Sequence, residues 1–277
     1  MSGRLGVCSW SLQPADPRQL AERVRATGLD RVQLALDPLR TGAWPLDATR
    51  SALDAAGIQI ASGMMGTRGE DYTTLESIRV TGGFRLDEHW DENLAAAEAN
   101  AGLAGELGLE LVTLHAGFLP EEPGDPLRAL LLERLRAVVD RFAARGIRVG
   151  LETGQETAPT LVEVLAELDR PDHAGVNFDP ANMILYGMGD PVEALRALLP
   201  HVLQVHVKDA TPTAEPGTWG AEVPAGTGAV DWPAFFAVLS GAGRPIDLMI
   251  EREAGGTRVA DIATARELVQ RHLKATA

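Results

Sequence analysis

"IRVGLE", residues 147–152, is an apolar β-type run that ends on a carboxylate. A parallel strand buried on both faces reads as a near-continuous hydrophobic run, and Glu152 stands where such a strand would leave the core. Gly146, just ahead of it, is placed to stop a helix. The pattern recurs along the chain. "LGVCSW" (5–10), "RVQLAL" (31–36), "IQIAS" (58–62) and "LELVTLH" (109–115) precede it, and "AGVNFD" (174–179), "VLQVHV" (202–207) and "IDLMIE" (246–251) follow. Between these runs lie stretches with helical periodicity and clear starts and stops. Asp16-Pro17 and Asp190-Pro191 have the form of an N-cap followed by proline at the first helical position, Asp231 caps "WPAFFAVLSGAG", and Gly28, Gly57 and Gly108 sit as Gly146 does. Eight strands, each followed by a helix, predict a single α/β domain over residues 1–277, a (β/α)8 barrel. A doubly wound open sheet is the rival, but "GVCSWSLQPAD" carries no Gly-rich fingerprint after the first strand. The Gly-, Thr- and Pro-rich segments 64–86 and 209–230 then become loops over the barrel mouth, where lids and substrate contacts belong.

Side chains two apart on a strand share a face. In the last four strands one face carries Val149 and Leu151, Val176 and Phe178, Val205 and Val207, Leu248 and Ile250. All are apolar, as an outer face packed under helices requires. The other face carries Gly150 and Glu152, Asn177 and Asp179, Gln204, His206 and Lys208, Met249 and Glu251. That face is small or polar and is assigned to the lumen. Glu152, Asp179, His206 and Glu251 therefore point inward together at the C-terminal mouth.

Three carboxylates and an imidazole cannot share a small low-dielectric space without a positive counterpart. Two carboxylates could share a proton, or the four could be capped by backbone amides and paired with Arg148, Lys208 and Arg252. Three oxygen donors with one nitrogen otherwise suit a divalent cation of intermediate hardness, Mn2+, Mg2+, Co2+ or Zn2+.

Composition narrows the partners. A net charge of -14 repels polyanions, and no basic stripe offsets it, so nucleic acid is not expected as a partner. Cys8 is the only cysteine, which excludes an internal disulfide framework and fits a reducing compartment. No stretch has signal-peptide character and nowhere do 18 apolar residues run together, so no membrane partner is expected and the reading is a cytoplasmic protein.

"VGLETGQE", "GVNFDPANMILYG", "QVHVKDA", "EVPAGTGAVDW" and "MIEREAGG" resemble successive signature segments of the xylose isomerase-like TIM-barrel superfamily, in its sugar phosphate isomerase/epimerase branch. That branch includes ketose epimerases, inosose isomerases and inosose dehydratases. The resemblance is strong over the C-terminal half and one of pattern over the N-terminal half. It implies a single metal held by Glu152, Asp179, His206 and Glu251, the four residues that parity brings together, and a small-molecule carbohydrate substrate. It also implies that the metal polarises a keto sugar or keto-inositol, and that Glu152 and Glu251 act as the acid/base pair next to the carbonyl through an enediolate. A homo-oligomer is left open.

Lys208 shares parity with His206 and should reach the substrate, unless it pairs with Asp209 or Glu253. His115 ends the fourth strand with lumen parity and resembles a family position near substrate. Trp10 and Trp219 could wall the sugar's apolar face or belong to the core. Asn182 stands three residues after the second ligand, where ketose 3-epimerases of this kind have a histidine, and Lys208 replaces the arginine they place after the metal histidine. "H-x-K-D" is more like the inosose dehydratase and general isomerase side. A metal-dependent lyase, an inosose dehydratase or a β-eliminating 3-keto-glycoside enzyme, is therefore the alternative to an isomerase or epimerase. An apurinic-site endonuclease and a non-catalytic sugar-binding barrel are more remote readings. "AGTGAVDW" is read as a turn before a capped helix and not as a nucleotide loop.

Overall fold

The computed structural model describes residues 4–215 and 217–275. Eight parallel strands close on themselves, β1 (Leu5–Cys8), β2 (Arg31–Ala35), β3 (Gln59–Met64), β4 (Leu111–Leu114), β5 (Arg148–Glu152), β6 (Ala174–Phe178), β7 (Val202–Val207) and, after a separate hairpin of β8 (Asp209–Thr211) with β9 (Ala221–Val223), β10 (Asp247–Ile250). Strand β10 closes the (β/α)8 barrel between β7 and β1. The capping logic of the sequence is realised in atoms. Asp16 accepts the amide of Gln19, Asp190 those of Val192 and Glu193, and Asp231 that of Ala234. Gly28, Gly57, Gly108 and Gly146 take φ of 76°, 65°, 70° and 71° at the helix ends, a conformation that costs glycine least. Among the described residues, no helix is long and apolar enough to cross a membrane.

Three details depart from the sequence reading. The first strand stops at Cys8, and Trp10–Leu12 form a 3-10 turn that brings Trp10 over the mouth. The third strand runs on to Met64, because a register shift between Val32 and Gln33 pairs Gln33 with Ser62. The segments expected to be loops are partly ordered: a capping box between Thr74 and Ser77 starts the helix Leu75–Thr81, and 209–230 begins as the β8–β9 hairpin.

The outer residues Val149, Leu151, Val176, Phe178, Val205, Val207, Leu248 and Ile250 lie in the core under the helices. Inside the barrel, side chains interlock. A Cβ on Gly6 would stand 2.7 Å from the sulfur of Met249, so the small residue makes room for the large one. Above them a polar floor is hydrogen-bonded across the lumen: Ser62 Oγ donates to Gln204 Oε1 (2.6 Å), Gln204 Nε2 to Asn177 Oδ1 (3.1 Å), and Gln33 Nε2 to Thr113 Oγ1 (2.7 Å). A satisfied network of this kind holds its side chains in single orientations, and the mouth residues stand on it.

Candidate metal centre and substrate cavity

At the strand ends Glu152, Asp179, His206 and Glu251 are all buried, with donor atoms that lie within 4.8 Å of one another. The centre of the group is the Nδ1 of His206, with Glu251 Oε2 at 3.4 Å, Glu152 Oε1 at 3.5 Å and Asp179 Oδ2 at 3.7 Å. Each carboxylate is fixed by groups around it. Glu152 Oε2 accepts from Asn177 Nδ2 (3.1 Å) and Oε1 from Asn182 Nδ2 (3.0 Å). Asp179 Oδ1 takes the amides of Ala181 and Asn182, because Asp179 is the N-cap of the helix Pro180–Leu185 with proline at its first position. Glu251 Oε1 accepts from the indole of Trp10 (2.6 Å) and Oε2 from the ammonium of Lys208 (2.8 Å). Gly154 (φ 130°) lets Asn182 come this close, since a Cβ there would sit 2.4 Å from that of Asn182.

The second oxygen of Asp179 is buried and, among the described residues, has no hydrogen-bond partner, with Lys208 Nζ no nearer than 3.8 Å. Leaving a carboxylate oxygen so costs about 1–3 kcal/mol or more unless something else meets it. Donors held about 2.1 Å from one ion at tetrahedral or octahedral angles stand roughly 3.0–3.4 Å apart, close to the separations around His206 Nδ1. The four side chains could therefore hold a divalent ion. Their charges are tightly linked. Burial pushes the Asp179 carboxyl up to about 6 against the pull of Lys208. Burial works the same way on Glu152 and Glu251, but the imidazoles of His115 and His206 hold Glu152 below its ordinary value, and Lys208 with His206 holds Glu251 well below it. His206 is pressed down by burial and raised well above its ordinary value by the surrounding negative charge.

Gln33 and Asn177, which the sequence reading did not single out as site residues, set the orientation of the imidazole. The Gln33 amide nitrogen faces Thr113 Oγ1 and, more weakly, the Gly63 carbonyl (3.5 Å), so its oxygen is turned to His206 Nε2 at 2.8 Å. Nε2 then keeps its proton, and Nδ1, which faces the carboxylates, is the nitrogen that gives up its proton when a cation is bound. Asn177 Nδ2 also lies 3.0 Å from Nε2, while donating to Glu152. The signal for both was available as polar residues of lumen parity.

A cavity of about 530 Å³ opens above the four residues and is lined by Trp10, His115, Asn182, Lys208 and Trp219 among others. Lys208 is buried and also meets Glu253 Oε2 at 2.7 Å. Its other sequence-level partner, Asp209, turns away and accepts the amides of Gly226, Gly228 and Val230 and the indole of Trp232, which fixes the turn before the helix Trp232–Ser240. Arg252 is bound to Glu222 and Asp261, and Arg148 is exposed at the far end of β5, so neither meets the four residues. His115 Nε2 stands 3.8 Å from Glu152 Oε1, and its Nδ1 is buried without a hydrogen-bond partner among the described residues. Tyr72 and Tyr186 complete the aromatic wall, and Asp37, Glu70, Glu222 and Glu253 line the cavity as well. These six lie outside the strands' polar face, where parity gives no signal.

The model of the family described as xylose isomerase-like TIM barrel matches residues 21–275. A xylose isomerase domain protein from Planctomyces limnophilus is 34% identical, with a TM-score of 0.85 over 92% of each chain. A xylose isomerase-like TIM barrel protein from Mycobacterium smegmatis, solved in complex with magnesium, is 20% identical, with a TM-score of 0.73 over 98% of this chain and 97% of that one. YihM of Escherichia coli (strain K12) is 26% identical over 137 residues, 49% of this chain and 41% of that protein, so the match spans about two fifths of the relative's length. Sugar 3-epimerases and a probable dehydratase share the fold at lower identity.

Proposed function

The chain belongs to the xylose isomerase-like TIM barrel family, and from that premise we propose that it is a divalent-metal-dependent isomerase or epimerase of an uncharged keto sugar or keto-inositol. The observation that carries this reading is the convergence of three carboxylate oxygens on His206 Nδ1 beneath an aromatic-walled cavity. Glu152, Asp179, His206 and Glu251 would hold the ion, with Mn2+ as first choice. The bound ion supplies Lewis acidity toward the substrate's carbonyl and neighbouring hydroxyl. Glu152 and Glu251 are both held as carboxylates. One takes the proton from the carbon next to the carbonyl, and in epimerisation the other, once protonated from solvent, returns one to the opposite face of that carbon. In isomerisation the first returns its own proton to the former carbonyl carbon. The Lys208 ammonium offsets the negative charge that develops on the sugar oxygen. His115 and Asn182 hold hydroxyls, while Trp10 and Trp219 cover the apolar face of the ring. An uncharged substrate is favoured because six carboxylates line the cavity and, among the described residues, no arginine does.

A lyase at the same centre is the second reading. It is favoured by His115, which borders the cavity and is raised by Glu152 and Glu70 despite burial. A protonated imidazole there would protonate a hydroxyl leaving from the carbon β to the ketone.

The test is proton exchange. The Mn2+-loaded protein is incubated in D2O with a panel of ketoses and keto-inositols, and the signal of the α-carbon proton is followed by NMR. Exchange in the wild type, reduced about a hundredfold or more in Glu152→Gln and Glu251→Gln, is the expected result. An enone or diketone product moves the assignment to the lyase. Absence of exchange across the panel with Mn2+, Mg2+, Co2+ and Zn2+ sinks both.

A further inference from the structure

A second cavity, of about 280 Å³, lies beside the first on the loops that follow β3, β4 and β5. The wall between them is aromatic. Phe118 lines the second cavity and packs edge-on against Tyr186, with centroids 5.6 Å apart, and Tyr186 lines the metal cavity. Arg79 stacks over the ring of Phe118 at 4.9 Å.

Two buried polar side chains face this cavity with hydrogen-bonding capacity to spare. Gln155 is 3% exposed; its side chain lies by the Tyr186 hydroxyl, and among the described residues its Nε2 has no well-formed hydrogen bond. Glu156 is 6% exposed and forms no hydrogen bond or ion pair among the described residues. Burial alone acts on its carboxyl and pushes it up to about 8, so at neutral pH the group is mostly the acid and can both donate and accept. Unused hydrogen-bonding capacity on buried groups is costly to leave unmet, which makes these two candidates for a ligand's hydroxyls. The rest of the lining has the same mixed character. Arg79 and Arg85 offer donors, Glu121 and Asp125 offer acceptors, and Phe118 gives a ring face. A phosphate or carboxylate would meet three carboxyl groups here, and a hydrocarbon would bury the unpaired amide. A hydroxylated, uncharged ring satisfies the whole set.

We propose that this second cavity is a sugar subsite, and that the natural substrate is a ketose carrying a further neutral sugar unit. The keto end sits at Glu152, Asp179, His206 and Glu251, and the second ring lies on Phe118 with its hydroxyls on Gln155 and Glu156. The position of the keto end rests on the proposed function, whereas the second subsite is a statement about binding alone.

Isothermal titration of the Mn2+-loaded protein with D-fructose and with the neutral ketose disaccharides turanose, maltulose and isomaltulose tests it. At least one disaccharide is expected to bind about tenfold or more tightly than fructose. In Glu156→Leu and in Gln155→Ala that ratio falls to within about twofold, with cooperative melting used to verify that both variants are folded. Equal affinity for fructose and all three disaccharides, a preference that survives both substitutions, or no binding of any of the four overturns the subsite. The preference reports on the subsite alone, whereas a fructose affinity that is the same with and without Mn2+ tells against the metal-centred reading of the first cavity, so the two fail separately.

Discussion

The Nε2 of His206 stands 2.8 Å from the Oε1 of Gln33, and the glutamine is itself turned by Thr113, so the tautomer of the central imidazole is chosen from beneath. Partners of this kind are commonly worth about 10–100-fold in metal affinity. Gln33→Leu should weaken Mn2+ binding by roughly that factor, whereas Gln33→Glu, which keeps an acceptor, should stay within a few-fold of the wild type. Equilibrium dialysis with Mn2+ measures both. Wild-type affinity in Gln33→Leu would show that the tautomer is set elsewhere.

Lys208 occupies the position of a resident counter-charge. Burial presses its ammonium toward the neutral form, but Glu251 and Glu253 hold it well above its ordinary value. Removing one partner of a buried pair costs about 3–5 kcal/mol, because the other charge is left uncompensated. The metal-free Lys208→Met protein should melt roughly 10 °C below the metal-free wild type. Mn2+ should then restore more stability to the variant than it adds to the wild type, since the ion supplies the missing positive charge. Calorimetric scans with and without Mn2+ read this directly, and equal metal increments in the two proteins would refute it.

Metal binding should be steeply pH-dependent. His206 is raised well above its ordinary value and Asp179 is pushed up to about 6, so in the metal-free protein both bind protons that a cation must displace. From about pH 6 up to the higher value of His206, log K for Mn2+ should rise by about one per pH unit as the imidazole proton is released. Below about pH 6 the slope should approach two, since Asp179 then also carries a proton. Titrations in buffers of different ionisation enthalpy count these protons. A flat profile between pH 5 and about 7 would mean that His206 is already neutral and Asp179 already ionised in the free protein.

The barrel and the four mouth residues were legible because strand parity is a rule of backbone geometry, independent of what fills the loops. Glu152, Asp179, His206 and Glu251 needed only the count of two along each strand. Ser62 and Met64 escaped that count, because the irregular pairing at Val32 and Gln33 moves β3 by a residue relative to β2. Gln33 was readable in "RVQLAL" by the same parity, but its role depends on which of two amide ends faces His206, which only Thr113 and Gly63 decide. Tyr72, Tyr186 and Glu253 come from loops and from the turn that ends a short helix, where no period links sequence to face. The helix Leu75–Thr81 was hidden in a polar Thr- and Ser-containing stretch, where the same residues that favour turns also cap helices.

Glu156 gives the protein a stability profile opposite to that of most carboxylates. Its folded value is pushed up to about 8 by burial, from an ordinary value of 4.5. Between those two pH values the folded chain keeps a proton that the unfolded chain has released, so unfolding sheds a proton. Stability from this group is therefore full below about pH 4.5, declines as pH rises, and levels off only above about pH 8, a loss amounting to a few kcal/mol. The chain's net charge of -14 also weakens the compact state as pH rises, so the informative quantity is the difference between two proteins. In metal-free urea titrations at intervals from pH 5 to about 9, Glu156→Gln should lose less stability with rising pH than the wild type, and should be the more stable of the two at the alkaline end. Parallel profiles would mean that the Glu156 carboxyl ionises in the folded protein as freely as in the unfolded one.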